Sequence, residues 1–375
     1  MVSNLGNPLV RAPENASDEP LHRKVREVNV VGAESVVTRV EMTPAESQAA
    51  AELSESLLAR FESPVSSEFL ETAPFLGGQL PESVAKAIRA FRYGDATDAL
   101  VVSGLPVTAG PTPSHWNHPD AQAPHMADFW LALIMAQLGD AVSWSSLQGG
   151  QLVNNILPIQ KQESLQTGHS SDVVLDLHIE DAFSNLRCDH LGLISLRNED
   201  MIPTTAVGIS SIDVTGPEYA PLFEPRYVIH PDDEHLRNLR EAGVNEAELL
   251  AAPTAVLSGS PQAPDVRLDP PYMAALPGDV EADRALQLLI MELSANVEDV
   301  ALAPGEILIV DNHRALHGRK PFTARYDGTD RWLRRLTTVK DLRRSRVARS
   351  EASSRIIDPV LEPLPASLEL TGAGR

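Results

Sequence analysis

The stretch LDLHIEDAF, residues 175–183, places His178 and Glu180 two positions apart in a run that alternates apolar and polar residues. On a strand, residues i and i+2 share one side of the pleat, so an imidazole and a carboxylate would converge just above a sheet. The pair can hold a metal if a third ligand comes from elsewhere, or it is only the polar edge of the sheet. A later run, EILIVDNHRALHGRKPF, supplies two histidines near a strand end, His313 and His317. Two histidines and one carboxylate on one face, with the opposite positions open, suit non-haem Fe(II) oxygen chemistry. The same set also suits a His2Glu zinc hydrolase.

The next β-rich run, DRWLRRLTTV, adds a charge argument. Period 2 puts Arg331, Leu333, Arg335 and Thr337 on one face, with Trp332, Arg334 and Leu336 on the other. If the first set faces inward, two guanidinium groups enter one pocket. Buried guanidinium groups are costly without partners, so each implies an anion, either an internal carboxylate or that of a ligand. The pattern predicts a pocket built for two carboxylates.

Together, LHIEDAF…HLGLISLRNED and ILIVDNHRALHGRKPFTARYDGTDRWLRR resemble the clavaminate synthase-like Fe(II)/2-oxoglutarate dioxygenases over about residues 140–345. Members close to this pattern hydroxylate free amino acids such as arginine, asparagine and lysine. The resemblance implies an α+β chain whose core is a double-stranded β-helix, or jelly roll, flanked by helices. It implies His178, Glu180 and His317 as the catalytic iron ligands and leaves His313 a structural neighbour. Arg331, fourteen residues after His317, matches the arginine that grips the distal carboxylate of 2-oxoglutarate. Arg335 matches the one that takes the substrate's α-carboxylate. Thr205 in PTTAVG corresponds to a threonine that hydrogen-bonds 2-oxoglutarate, with Thr204 as the competing position. Gln148 in SSLQGG corresponds to a glutamine near the substrate's amino group, for which Glu180 is a second acceptor. Ile179 replaces the usual threonine between the first two ligands, but its side chain points away from the metal.

Arginine-hydroxylating relatives clasp the guanidinium between two aspartates spaced i, i+2. In VRLDPPYM, Asp269 keeps the first position and Pro271 occupies the second. A lone carboxylate suits a compact ammonium better than a planar guanidinium. The expected reaction is therefore hydroxylation of L-lysine at C3, with 2-oxoglutarate and O2 converted to succinate and CO2. L-arginine, citrulline or asparagine, at C3 or C4, are the alternatives. Asp269 could instead be a plain turn residue ahead of Pro270 and Pro271. A halogenase on the same scaffold normally needs a small residue where Glu180 stands. A metal-free jelly-roll binding protein would leave Arg331 and Arg335 unexplained.

These groups must be positioned by the rest of the chain. Residues 1–25 read as a loose polar arm, followed by a single dioxygenase domain over 26–375. Within it we expect a helical flank at about 40–140, a jelly-roll core at about 140–345 and a C-terminal segment at 346–375. In the flank, TPAESQAAAELSESLLARF offers Thr43 as N-cap, Pro44 at the first helical position and Glu46 to close a capping box, with Leu53, Leu57 and Leu58 on one face. PESVAKAIRAFRYG and the strongly apolar MADFWLALIMAQLGD predict two more helices. Residues 213–245 read as a long irregular loop and resemble the mobile lid of these enzymes.

Composition narrows the function classes. With 31 basic against 52 acidic residues, the net charge of −21 disfavours nucleic-acid or anionic-membrane partners and favours a cationic small molecule. Cys188 is the single cysteine, which excludes a disulfide framework or a cysteine-based metal site and fits a cytoplasmic setting. The start of the sequence has no leader pattern and no stretch is apolar enough to span a bilayer. Oligomeric state is open.

Overall fold

The computed structural model describes residues 35–94, 97–241, 243–244 and 252–361. All of them lie in one compact unit, Glu34–Arg375. The expected arm at 1–25 falls outside the described residues, as does the end of the C-terminal segment from 362.

Helix α1, Pro44–Arg60, starts as its sequence requires: Thr43 Oγ1 accepts from the Glu46 amide while Glu46 accepts from the Thr43 amide. Leu53 and Leu57 are buried, but Leu58 is 55% exposed. One residue beyond Leu57 is a turn of about 100°, which carries Leu58 off the buried stripe. Helices α2 (Ser67–Leu76) and α3 (Glu82–Tyr93), the short α4 (Pro119–Gln122) and α5 (Met126–Met135) complete the flank. Every residue of α5 from Ala127 to Met135 is buried, because this helix lies between the main sheet and helices α1 and α2.

The main sheet has the order β1 (Val37–Glu41), β2 (Ala99–Ser103), β13 (Ile307–Asp311), β6 (His190–Arg197), β15 (Trp332–Val339), β3 (Asp140–Trp144), β16 (Ile356–Ile357), with β4 (Asn154–Ile156) also pairing with β15. A second sheet runs β12 (Glu298–Ala301), β7 (Pro203–Gly208), β14 (Ala315–Arg319), β5 (Leu175–His178), antiparallel throughout. The flank is thus not purely helical: β2, from within the region expected to be helices, and β1, at its start, form one edge of the main sheet. Both are five-residue runs, too short for periodicity to separate from helix.

Alternation along the strands explains the layering. Leu191, Leu193, Leu308, Val310 and Leu333 of the main sheet meet Ala206, Val300 and Ala315 of the second sheet in one apolar cluster. Their neighbours Ile194, Leu196, Ile307 and Ile309 point the other way, into the cluster shared with α5. The outer face of the second sheet, with Val207 and Leu316, packs on α7 (Val280–Ala295) through Leu286 and Leu289.

The stretch expected to be an irregular loop contains ordered elements. Within it β8 (Tyr227–Ile229) pairs with β11 (Met273–Ala275), and α6 spans Asp233–Glu241. A hairpin of β9 (Leu257–Ser260) and β10 (Ala263–Val266) follows. Tyr227 OH donates to Ala282 O, and Arg226 binds both carboxylate oxygens of Asp279, so this segment is tied to α7. Among the described residues no helix is long and apolar enough to cross a membrane.

Candidate active site

The ladder of β5 stops at His178, short of the strand expected over 175–183. Ile179 leaves it by donating its amide to Leu268 O at 2.9 Å and buries its side chain in the apolar cluster under the second sheet. Glu180 then sits in a turn whose next residue, Asp181, has φ of 55°. Asn312 clamps that turn: its Oδ1 accepts from the Glu180 amide at 2.9 Å, and its Nδ2 donates to Glu180 O and Cys188 O, both at 3.0 Å. The role of Asn312 was not apparent from DNH in the sequence, since it acts only on a peptide 132 residues away.

Strand β14 brings His317 directly opposite His178, with ring centroids 4.4 Å apart. One ligand atom from each of His178, Glu180 and His317 lies within 4.8 Å of the others, the one such group among the described residues. The donor set fits a divalent metal on three further grounds. Glu180 Oε2 and His317 Nδ1 are buried without hydrogen-bond partners. His178 Nδ1 donates to Asp176 O at 2.8 Å, which leaves Nε2 with its lone pair free. Burial, and then His317, lower the His178 pKa to about 4, so this imidazole is neutral, as a ligand must be. For Glu180, burial alone would favour the acid, but Arg335 and the two histidines outweigh it and hold the carboxyl well below its usual range. His313 is elsewhere, with Nε2 2.9 Å from Asp189 Oδ1.

These residues open onto a cavity enclosing about 900 Å3 of empty space, mouth included. Arg331, Arg335 and Arg319 line it. Arg331 is 7% exposed, donates from Nη2 to Thr204 Oγ1 at 2.8 Å and has no carboxylate partner among the described residues. Burial, then Arg319, lower its pKa to about 9. Arg319 follows His317 by two positions, so it shares that face of β14. It is 2% exposed and bound to Ser170 Oγ at 2.8 Å. The spacing of HGR, two residues from His317 to Arg319, is the sequence signal for this placement. Two buried cations without acids form an anion site. Arg335 instead holds Glu180 Oε1 and Asn154 Oδ1. On the opposite face of β15, Arg334 is neutralised by Asp128 beneath α5.

Two expected contacts need correction. Thr204 lines the cavity, whereas Thr205 faces the other side of β7, toward Gly318 on the neighbouring strand. Strand alternation allows only one of two adjacent threonines to face Arg331. Gln148 is 1% exposed and its amide is already engaged. It donates to Asn155 O, accepts from the Asn155 amide, and turns its remaining N–H toward His169 Nε2 at 3.4 Å.

Asp269 lines the cavity at 9% exposure and makes no side-chain capping bond to the 3-10 turn that follows, so it is not a plain turn residue. Burial, then nearby acids led by Asp232, push its pKa well up. Residues Asp232 and Glu234, missed in the sequence because they sit in the stretch taken for loop, also face the cavity. They are fixed by His235, whose amide donates to Asp232 Oδ1 at 2.9 Å. The His235 ring is clamped between Ser146 Oγ at 2.6 Å and Asp181 Oδ1 at 3.1 Å. Asp181 also accepts from Trp144 Nε1 at 2.7 Å.

Residues 251–337 match the family model described as taurine catabolism dioxygenase TauD, TfdA family. The chain is 37% identical to an enduracididine beta-hydroxylase of Streptomyces hygroscopicus, over 81% of this chain and 95% of the relative. It is 32% identical to an L-ornithine/L-arginine 3-hydroxylase of Catenulispora acidiphila, over 85% and 99% of the two chains. Among solved structures it is similar to the non-heme iron oxygenase OrfP in complex with Fe, succinate and (3S)-hydroxy-L-Arg, with a TM-score of 0.80 and 37% identity, covering 85% of this chain and 99% of that one. OrfP has also been solved with Fe and alpha-ketoglutaric acid. With a metal-fitting triad, a buried anion site and relatives matched over nearly their whole length, the chain belongs to the TauD, TfdA dioxygenase family, and is an Fe(II)- and 2-oxoglutarate-dependent dioxygenase of the amino-acid hydroxylase type.

Proposed function

We propose that this chain hydroxylates a free L-amino acid bearing a cationic side chain at its β-carbon, an arginine-type substrate ahead of lysine. The observation that carries this reading is the division of charge in one cavity: among the described residues Arg331 and Arg319 lack an acid, while Asp269 lacks a cation and has Asp232 as its leading acidic neighbour. A dicarboxylate co-substrate answers the first imbalance and a basic side chain the second. Asp232 offers the second carboxylate of the fork that Pro271 removes, which favours a planar guanidinium. The names of the matched relatives, a beta-hydroxylase and an arginine 3-hydroxylase, support both the substrate class and the carbon. L-lysine is the second reading, resting on Asp269 as a lone carboxylate beside Pro271.

In this reading His178, Glu180 and His317 hold the Fe(II), which supplies oxygen activation when bound. Arg331 pairs with the distal carboxylate of 2-oxoglutarate, and Thr204 fixes the guanidinium plane. Arg335 takes the α-carboxylate of the amino acid by leaving its present contact with Glu180. Asp269 and Asp232 hold the side-chain cation, and the stretched substrate is thereby oriented with its β-carbon toward the triad. The two facing sheets, antiparallel around the cavity, support the jelly roll that the family resemblance implies.

The test is to incubate the iron-loaded protein with 2-oxoglutarate, O2 and single amino acids, then read mass and proton NMR spectra. L-arginine should gain one oxygen at C3, stoichiometric with succinate, faster than L-lysine. Oxidation of citrulline or asparagine in preference to both would overturn the assignment of the acidic wall.

A further inference from the structure

Asp232 and Asp269, the two acids given above to the side-chain cation, stand on different elements, and a fork made of two elements works only if something fixes its gap. Asp232 is the N-cap of α6: its carbonyl accepts from the Leu236 amide and its Oδ1 from the His235 amide, both at 2.9 Å. One carboxylate oxygen is committed to the helix, and the other is left to the cavity that this residue lines. Asp269 lines the same cavity from the start of the turn Pro270–Tyr272, which leads into β11.

The two arms that carry these acids leave one ladder. Strand β8 pairs with β11 from Tyr227 opposite Ala275 to Ile229 opposite Met273, and the His230 amide adds a rung by donating to Tyr272 O at 2.8 Å. Asp232 lies two residues past that rung on one arm, and Asp269 lies three residues before it on the other. Pro231 stands in the first arm and Pro270 and Pro271 in the second, each with φ fixed by its ring, so both arms are stiff. The Tyr272 amide closes the second arm by donating to Asp269 O at 3.0 Å. The phenol then crosses to the first: Tyr272 OH accepts from the Asp233 amide at 3.2 Å, an N–H of the first turn of α6 that the helix itself leaves without an acceptor. One residue is thus bonded to Asp269 by its amide, to the residue before Pro231 by its carbonyl, and to the residue after Asp232 by its hydroxyl.

We propose that Tyr272 is the positioning residue of the acidic wall: its hydroxyl sets the gap between Asp232 and Asp269 and so gives the site its preference for a planar guanidinium over an ammonium. This rests on the assignment of those two acids to the side-chain cation made above. A guanidinium that spans two carboxylates has fixed N–H directions and needs their separation held, whereas an ammonium is a point charge that either carboxylate satisfies. Removing the bond that holds the gap therefore costs arginine and spares lysine.

The experiment measures binding of L-arginine and L-lysine by calorimetry in iron-loaded protein with 2-oxoglutarate under strict exclusion of oxygen, so turnover plays no part. Tyr272→Phe keeps the ring, and any stacking on it, and deletes only the hydroxyl. It should weaken L-arginine by about 3- to 10-fold, change L-lysine by less than about 2-fold, and leave 2-oxoglutarate binding as it was. Asp233→Pro removes the same hydrogen bond from the donor side, at the first helical position, where the missing N–H of proline is tolerated. It should lower the arginine-to-lysine affinity ratio by a similar factor, and the double variant should lower it no further than either single change. An unchanged ratio in Tyr272→Phe would overturn the proposal, whether both amino acids weaken equally, which would make the phenol a general fastening of α6, or neither does. A wild-type protein that binds L-arginine no more tightly than L-lysine would overturn the substrate reading and the proposal with it, before any variant is made. A wild type that prefers L-arginine, with variants that keep the preference, would overturn the proposal alone.

Discussion

At the scale of single residues, the two histidines of DNHRALH do different work despite lying four apart. His317 faces His178 across the β5–β14 ladder, while His313 pairs with Asp189 at a separate surface groove. His178→Ala and His317→Ala should each abolish stoichiometric iron binding and turnover, and His313→Ala should retain iron, measured by metal content after desalting. Arg331→Ala should raise the 2-oxoglutarate requirement by at least ~30-fold with a smaller effect on the amino acid, and Arg335→Ala the reverse, since each loses a buried charge pair of about 2–5 kcal/mol. Equal effects on both substrates in steady-state kinetics would undo that division. That Arg331 and Arg335 enter one cavity was legible from period 2, and the convergence of His178, Glu180 and His317 from the family motif, since the turn at Glu180 ends the alternation. Thr204 against Thr205 could not be resolved that way, because only the register with β14 decides which side faces in. The surroundings of Gln148 are illegible for a related reason: its bonds go to Asn155 and His169, and nothing in SSLQGG announces them.

At the scale of elements, α6 is the least legible part of the site and the one with most leverage on it. Its sequence, DEHLRNLRE, is polar enough to pass for a loop, with a single fully apolar buried residue, Leu239. What fastens it is the polar chain Ser146–His235–Asp181–Trp144, drawn from three separate parts of the sequence. No local pattern could reveal such a chain, whereas the capping box of α1 is written within four residues. His235→Ala should loosen α6 without touching the triad. Amide hydrogen exchange over 233–241 should rise at least ~10-fold, KM for the basic amino acid should increase, and KM for 2-oxoglutarate should hold. Unchanged exchange in this helix would show that apolar packing, and not the polar chain, fastens it. The short strands β1 and β2 teach the same lesson at the sheet edge, since their identity comes from pairing with each other and, through β2, with β13, and not from their own composition.

For the whole molecule, the acidic wall has a consequence for stability. Glu234 is pushed up to about 7 by burial and then by Asp232, against the opposing pull of Arg335, His235 and Arg237. Its unfolded-state value is near the ordinary 4.5. Between those two values the folded protein binds more protons than the unfolded chain, so this residue makes stability fall as pH rises. Below about pH 4.5 both states carry the proton and Glu234 costs nothing, while above about pH 7 the folded state bears the full burden of a buried charge, on the order of 3 kcal/mol. Glu234→Gln removes that burden. In metal-free, ligand-free protein the variant should therefore be more stable than wild type at pH 8 and nearly equal to it at pH 5, as measured by urea unfolding at both values. The comparison between the two proteins cancels the titration of Asp269 and the rest of the wall to the extent that they are unchanged by the substitution. A variant less stable than wild type at pH 8 would mean that Glu234 is compensated in the empty cavity, and that its carboxylate holds the fold together rather than waiting for a cation. A gain at pH 8 joined to weaker binding of L-arginine would show the opposite: that the chain keeps a destabilising charge in its interior because a cationic group bound in the cavity relieves it.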